Sequence, residues 1–319
     1  MALLLLEDLK PLSQNKLTTA VIDEFRRSPV LNILGFDNTI KPQGGNTFFY
    51  TYNRVTDRPA GQGRAINTEY SATKAVTEDI TVQLKIFGGK FGIDRALARV
   101  ETGQVVDNVT FQAQQQINAA TRLFNDWFVN GDALADPLQF DGIDKIASGG
   151  GAELDVAGID LSTAAAIKTN WPDLLYALRQ QRKLMPDAPN AYFMNSDMFA
   201  VFQSIADNNV QFQEVRDTMG NEIIRWGNVS LIQMGDKSGL STPIIDTDDS
   251  AGTTTIYPVW LNEEGVHGIT PDGASGFNMY MPDFTEPGAV KYGEVEMLAA
   301  IVAKTTRAVG AIRNIKIAA

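Results

Sequence analysis

Any nucleophile, general base or metal ligand in this chain comes from a short inventory. Cysteine is absent and histidine occurs once, His267, within Gly265-Val266-His267-Gly268-Ile269. The lack of cysteine removes disulfides, thiolate metal sites and thiol nucleophiles together. Ser/His/Asp catalysis would have to pass through His267, and no Gly-x-Ser-x-Gly elbow accompanies it. Zinc sites draw on several His or Cys ligands, so a zinc enzyme is excluded and a lone strand-associated histidine reads as structural. Gly235-Asp236-Lys237-Ser238 has the ending of a phosphate loop but lacks its upstream glycine, and Asp236 repels phosphate. Asp246-Thr247-Asp248-Asp249-Ser250 offers oxygen ligands at alternate positions, as a calcium loop does. Its sixth position is Ala251 and its twelfth Tyr257, which favours a solvated turn. Gly149-Gly150-Gly151 is not a dinucleotide fingerprint and reads as a flexible junction.

Charge narrows the classes further. The formal net charge is −11, against a sequence-reading nucleic-acid binder, which needs clustered Lys and Arg. Asp236 to Glu286 holds nine Asp/Glu against one Lys, a net of −8, whereas Lys291 to Ala319 holds five Lys/Arg against two Glu. A carboxylate-based hydrolase built on the Asp236–Glu286 acids is one reading, although no particular pair is singled out. The 319 residues, 44% hydrophobic and 20% charged, suit a globular protein of one large or two ordinary domains. The Met1–Asp8 start has four leucines and no basic leader, and no stretch reaches the ~18 apolar residues of a membrane span. These features lead us to expect a soluble, cytoplasmically made protein.

The elements that would position these residues come in a distinctive order. Ser13 opens a helical pattern (Leu17, Ala20, Val21, Phe25) that ends before Ser28-Pro29. Thr47 to Tyr52 is rich in strand formers, and Ile80, Val82, Leu84 and Ile86 alternate as a half-buried strand. Between them lies a polar stretch containing Arg58-Pro59-Ala60-Gly61-Gln62-Gly63-Arg64, so the two strands predict a long hairpin projecting from the body. Arg54, Arg58, Arg64 and Lys74 give its tip positive charge and are expected to contact a neighbouring subunit. Thr102 to Asn130 is helical, with Val105, Val109, Ala113, Ile117, Ala120, Phe124 and Trp127/Phe128 along one stripe and Gln112, Gln114, Gln115, Asn118 and Arg122 off it. Phe124 and Trp127 are expected in the core, and Gly131 as the left-handed stop. The second half reads as an α/β region: a helix over Trp171–Lys183, a buried strand at Ala191–Met194, and a helix capped by Ser196. Short strands follow around Ile223, Val229–Ile232, Ile244-Ile245 and Thr255–Trp260, and Val290–Ile317 forms a strand-like return.

This order resembles the major capsid protein of tailed phages, the Hong Kong 97-type fold. The stretches that carry the resemblance are Thr81–Gly89 with Phe91–Arg95, Phe124–Asp132 with Phe140–Ile143, Trp226–Val229, and Met297–Gly310 with Ile312–Ile317. The resemblance implies an α+β fold: an N-terminal arm (1–46), an extended hairpin loop (47–90), a peripheral domain with a long spine helix (91–158), an axial domain (159–288) and a C-terminal return into the peripheral domain (289–319). It implies a non-enzymatic chain that assembles with itself into pentamers and hexamers of an icosahedral shell around double-stranded DNA. The DNA is contacted non-specifically, and no cofactor, metal or membrane is involved. A separate scaffold protein, a portal and decoration proteins are the expected partners, and the virion capsid, made in the bacterial host cytoplasm, is the expected location. Some relatives weld their shells through a lysine–asparagine bond; Lys74 and Asn67 lie in the loop, but no motif pairs them. The encapsulin shell shares the fold and is the alternative.

Overall fold

The structure, a computed structural model, describes residues 30–40, 46–99, 108–206, 212–216, 222–273, 276–285 and 287–317. The helical pattern expected at Ser13–Phe25, with its end at Ser28-Pro29, lies outside these residues. A short helix, α1 (Val30–Ile33), and β1 (Phe36–Asn38) lead into a two-stranded ribbon of β2 (Phe49–Asp57) and β3 (Val76–Gln83). A single residue, Leu84, separates the ribbon from β4 (Lys85–Asp94), followed by α2 (Arg95–Arg99). The spine helix α3 (Asn108–Asn130), then α4 (Ile143–Ala147) and β5 (Glu153–Asp155), complete the first half. Next come α5 (Ala164–Arg182), β6 (Ala191–Met194), α6 (Ser196–Ala206), β7 (Phe212–Arg216), β8 (Glu222–Trp226), β9 (Val229–Gln233) and β10 (Thr253–Val259). The chain closes with β11 (Val266–Thr270), β12 (Asn278–Tyr280), β13 (Val290–Ala303) and β14 (Ala311–Lys316).

Two larger sheets organise these elements. In one, β13 is the hub: it pairs antiparallel with β4 over ten residues, Val290↔Asp94 to Ala299↔Lys85, and also with β11 and β12, while β1 pairs with β11. Phe87, Phe91 and Ile93 of β4 and Val295 and Met297 of β13 turn inward, and the spine helix packs on them. The second sheet runs β5-β14-β10-β6-β9-β8-β7. Its strand β6 is buried at every position because both faces are covered. Tyr192 and Met194 join the core under α5 and α6, and Ala191 and Phe193 join the core around the spine helix. A strand covered on both faces carries an unbroken apolar run rather than alternation, as Ala191–Met194 does. Among the described residues no helix is long and apolar enough to cross a membrane.

Several local expectations give way to the structure. The alternation through Ile86 breaks at Leu84, where the chain leaves the ribbon for the sheet: Leu84 and Phe87 are buried and Ile86 is exposed. Arg122, placed off the apolar stripe, is buried. Gly131 does not adopt a left-handed conformation. A Cβ there would lie 2.2 Å from the Phe140 carbonyl oxygen and 2.5 Å from that of Trp127, so the glycine admits a close chain crossing instead. The Gly149–Gly151 stretch is a packed turn rather than a flexible junction. Gly149 and Gly151 have φ of 124° and 73°, and a Cβ on Gly150 would meet the Thr306 carbonyl oxygen at 2.2 Å. The helix expected from Trp171 begins at Ala164, its first turn capped by Thr163 Oγ1, which accepts from the Ala166 N–H at 3.2 Å. It runs through Pro172 because Leu174, Leu175 and Leu178 hold its face in the core. For α6 the cap is Asn195, whose Oδ1 accepts from the Met198 N–H at 2.9 Å, rather than Ser196. Ile244-Ile245 is buried but forms no strand. The closing return divides at Lys304–Gly310, so β13 and β14 belong to different sheets.

Candidate assembly surfaces

The ribbon is where the chain departs most from a self-contained body. β2 has period-two exposure: Tyr50, Tyr52 and Arg54 turn toward the body, while Phe49, Thr51, Asn53 and Val55 face solvent. Its inward face is anchored at a root built from three elements. The Tyr50 hydroxyl donates to Asp37 Oδ2 at 3.0 Å and the Tyr52 hydroxyl to the Ala303 carbonyl at 2.9 Å. Arg54 donates from Nε to the Lys304 carbonyl at 2.9 Å and from Nη2 to the Ala303 carbonyl at 2.8 Å. Burial, then the bond to Asp37, pushes the Tyr50 phenol up to about 12.

His267 lies behind this root. It is 2% exposed, its ring meets that of Tyr50 edge-on at 5.9 Å, and neither ring nitrogen has a hydrogen-bond partner among the described residues. Burial, reinforced by the Lys304 charge, holds its pKa down to about 4. The imidazole is therefore a neutral aromatic wedge at neutral pH. Among the described residues no hydroxyl is hydrogen-bonded to it for activation.

The tip is of the opposite character. Residues 58–75 are exposed throughout, and the chain reverses at Ala65–Thr68, where Asn67 has a φ of 66°. Ile66 is 89% exposed and Tyr70 60%. Arg64 lies 5.6 Å from the Tyr70 ring centroid and donates to the Thr68 carbonyl at 3.3 Å. Arg58, Arg64 and Lys74 sit at this end. Arg54 does not: expected at the tip, it belongs to the root, because its parity along β2 turns it onto the body.

Phe124 and Trp127 occupy the spine-helix core. Phe124 is fully buried, with ring centroids 5.6 Å from Phe87, 5.6 Å from Phe140 and 6.4 Å from Phe36. Trp127 meets Phe87 and Phe140 edge-on at 5.6 and 5.8 Å.

Two further constructions went unread in the sequence. Arg313 of β14 donates to Glu153, to Asp144 Oδ1 at 2.7 Å and to Ser148 Oγ at 2.9 Å, and Asp144 also accepts from the Tyr257 hydroxyl at 2.9 Å. This cluster ties β14, β5, β10 and α4 together, and burial followed by Asp144 raises the Tyr257 pKa. The second is the Asp132–Asp141 loop after the spine helix, where Leu134 and Leu138 are 86% and 70% exposed. The repeated Asp-x-Leu of Asp132–Leu134 and Asp136–Leu138 was a readable signal for it.

Among the described residues no three His, Cys, Asp or Glu side chains come together as a metal site would need. Of the acids between 236 and 285, Asp246, Asp248 and Asp249 share one loop between β9 and β10, and Asp236 forms a bridge with Pro243. Asp248 accepts from Ser250 Oγ and from two backbone N–H groups, which lowers its pKa, and Thr285 does the same for Asp283. A general acid needs the opposite shift. Ser238 of the Gly235–Ser238 segment donates to the Ala119 carbonyl of the spine helix at 3.0 Å. A cleft of about 510 Å³ lies between Arg182, Pro189, Trp226 and Asn228, and among the described residues Arg182 is its one ionisable lining residue.

No protein-family model and no curated protein matches the sequence. Solved structures do match it from end to end. The holo-SrpI encapsulin complex from Synechococcus elongatus PCC 7942 aligns at 13% identity and TM-score 0.67, over 99% of this chain and 97% of that one. The capsid of Myoviridae phage XM1 aligns at 10% identity and TM-score 0.59, over 98% and 99%. The fold is that of the Hong Kong 97-type capsid proteins. A structure of phage G gp27 major capsid proteins and gp26 decoration proteins aligns at 10% identity and TM-score 0.54, over 99% and 100%. The neighbours of this capsid fold are shell proteins, not enzymes.

Proposed function

We propose that this chain is the major capsid protein of a tailed phage, assembling with itself into pentamers and hexamers of an icosahedral shell around double-stranded DNA. The observation that carries the reading is the ribbon: anchored at its root by Tyr50, Tyr52 and Arg54, it presents a basic, part-apolar tip that none of the other described residues covers. Arg58, Arg64 and Lys74 are the residues for contact with a neighbour. An exposed ion pair contributes only ~0–1 kcal/mol, but a shell repeats each contact in every subunit. The net charge of −11 suits a wall that encloses DNA without gripping it. A scaffold protein, a portal and decoration proteins are the companions of this reading, the virion is its location, and the host bacterial cytoplasm is the site of synthesis. In domain terms, 1–46 is the arm, 47–90 the extended loop, 91–158 the peripheral domain, 159–288 the axial domain and 289–319 the return.

The second reading is an encapsulin-type shell, favoured by the encapsulin match having the higher TM-score of the three structures compared. Both readings require assembly. Size-exclusion chromatography followed by negative-stain imaging of the purified chain, with and without a scaffold, tests it: capsomers or closed shells are expected. Exclusively monomeric protein at high concentration, across salt and pH, removes both readings. Terminase and portal genes beside the coding gene decide for the phage, and a cargo gene decides for the encapsulin.

A further inference from the structure

Helix α5 carries a basic stripe on a chain whose net charge is −11. Lys168, Arg179 and Arg182 are all exposed, as is Lys183, the C-cap, which keeps a helical conformation (φ −68°, ψ −22°). At 3.6 residues per turn and 1.5 Å per residue, these four cations fall within about 100° of the helix circumference and along about 22 Å of its length. Asp173, the one acid of α5, lies outside that stripe, and Tyr176, 62% exposed, lies beside it. Among the described residues no carboxylate pairs with any of the four. Unpaired cations gathered on one face are the electrostatic footprint of a polyanion site.

The stripe ends at the cleft of about 510 Å³, which Arg182 and the half-buried Trp226 both line. The indole is held from behind by the buried Tyr192, whose ring centroid lies 6.2 Å away at an interplanar angle of 30°. It is held along the chain by the β8–β9 hairpin, which turns at Gly227 with a φ of 62° and closes on the Trp226↔Val229 pair. No Asp or Glu is among the described lining residues, and Asp187, in the loop after α5, stands outside them. The volume falls in the ~300–1,000 Å³ range of small-ligand sites. A fixed indole beside a guanidinium, with no carboxylate to oppose it, suits a planar ring that carries negative charge. A nucleobase with its phosphate has that chemistry: the base stacks on the aromatic face, and the phosphate takes charge-assisted hydrogen bonds from arginine.

We infer that α5 and the Trp226 cleft form a site for single-stranded nucleic acid, with one base against Trp226 and the adjoining phosphates on Arg182, Lys183, Arg179 and Lys168. A single strand is favoured over a duplex because paired bases are held inside the stack and cannot enter a cleft. It is favoured over an acidic polypeptide because a carboxylate side chain brings no ring to the indole. The site belongs to one chain, so it stands or falls separately from the assembly reading.

Fluorescence anisotropy of the full-length chain with a labelled oligothymidylate of about 15 nucleotides tests the site, with a duplex of equal length and polyglutamate as the comparison polyanions. Binding to the single strand is expected to be about tenfold or more tighter than to either comparison. It should weaken with salt at a log–log slope near −3, four cations contributing ~0.7 each. Arg179→Gln/Arg182→Gln/Lys183→Gln should keep the wild-type circular dichroism spectrum, weaken the single strand about tenfold or more and flatten that slope. Trp226→Leu should weaken it about tenfold at an unchanged slope. An abasic strand on the wild-type chain asks the same question without touching the fold, and should bind as weakly as the duplex. Equal affinity for the duplex or polyglutamate, undiminished binding by the triple variant, or equal binding with and without bases each overturns the site. None of these results depends on whether shells form.

Discussion

Truncating Phe124 to alanine tests whether the spine helix is the structural centre of the larger core. The side chain is fully buried against Phe36, Phe87 and Phe140, three rings from three other segments of the chain. Cutting a buried phenylalanine to alanine costs roughly 3–5 kcal/mol when surrounding groups cannot close the void. Closure is difficult here because Trp127 and Phe140 are themselves locked edge-on at 5.8 Å. An unfolding entropy of ~2.1 cal/mol/K per residue over 319 residues gives about 0.67 kcal/mol/K, so a loss of ~4 kcal/mol lowers Tm by about 6 °C. Urea unfolding by tryptophan fluorescence measures the free energy, and a calorimetric scan measures the Tm. Tyr280→Ala, at an exposed position 57% accessible, is the control and should shift stability by less than ~1 kcal/mol. A folded, soluble Phe124→Ala protein within 1 kcal/mol of wild type would show that this aromatic cluster does not hold the core, and that the helix face is free to serve another subunit.

Three other perturbations follow from the same structure. His267 titrates at about 4 when folded against an ordinary 6.5, so the unfolded chain takes up its proton first and stability falls as pH drops from 6.5 toward 4. This contributes about 2 kcal/mol of loss by pH 5; His267→Phe should remove that part of the pH dependence in urea midpoints, and parallel curves for the two proteins would refute the buried neutral imidazole. Arg313→Ala leaves Asp144 and Glu153 without their shared cation and should cost about 2 kcal/mol in urea unfolding, with Arg313→Lys between it and wild type, since an ammonium cannot reproduce the fork. Equal stability of all three proteins would show the cluster to be energetically idle. Arg58→Glu/Arg64→Glu should leave circular dichroism and Tm unchanged while raising the concentration needed for assembly, read by light scattering; normal shells from this variant would exclude the tip as an intersubunit contact.

How much of this was legible depends on the range over which each feature is encoded. The spine helix was readable because its stripe is written in spacings of three and four within one segment, down to Phe124 and Trp127. The buried strand Ala191–Met194 was readable as an apolar run, although only the structure shows that its alternate residues serve two different cores. Arg313 was not, because its partners lie 160 and 169 positions away and no local pattern records them. The buried Arg122 was missed for a related reason: a polar flank on a helix looks the same whether or not another segment covers it. Gly131 reads as a left-handed stop and Gly150 as part of a flexible junction, whereas each admits a close chain crossing, and a glycine required by a crossing looks the same in sequence as one required by a turn or a hinge.

Arg54 shows that parity along a strand carries more than a count of charge. Four basic residues near a projecting hairpin look equivalent when counted as charge. They are not equivalent when counted by parity. Tyr50, Tyr52 and Arg54 share one face of β2, and two tyrosines on a single face already mark it as the side that meets the body. The third residue on that face inherits the same environment, so a guanidinium there has to find oxygen acceptors within its own chain, which the Ala303 and Lys304 carbonyls provide. Beyond Asp57 the pairing ends and parity loses its meaning. Arg58, Arg64 and Lys74 lie past the paired ladder and are exposed among the described residues, and contact with another subunit is the role that the proposed assembly gives them. The division between root and tip in this ribbon is encoded in the period-two pattern rather than in the charges.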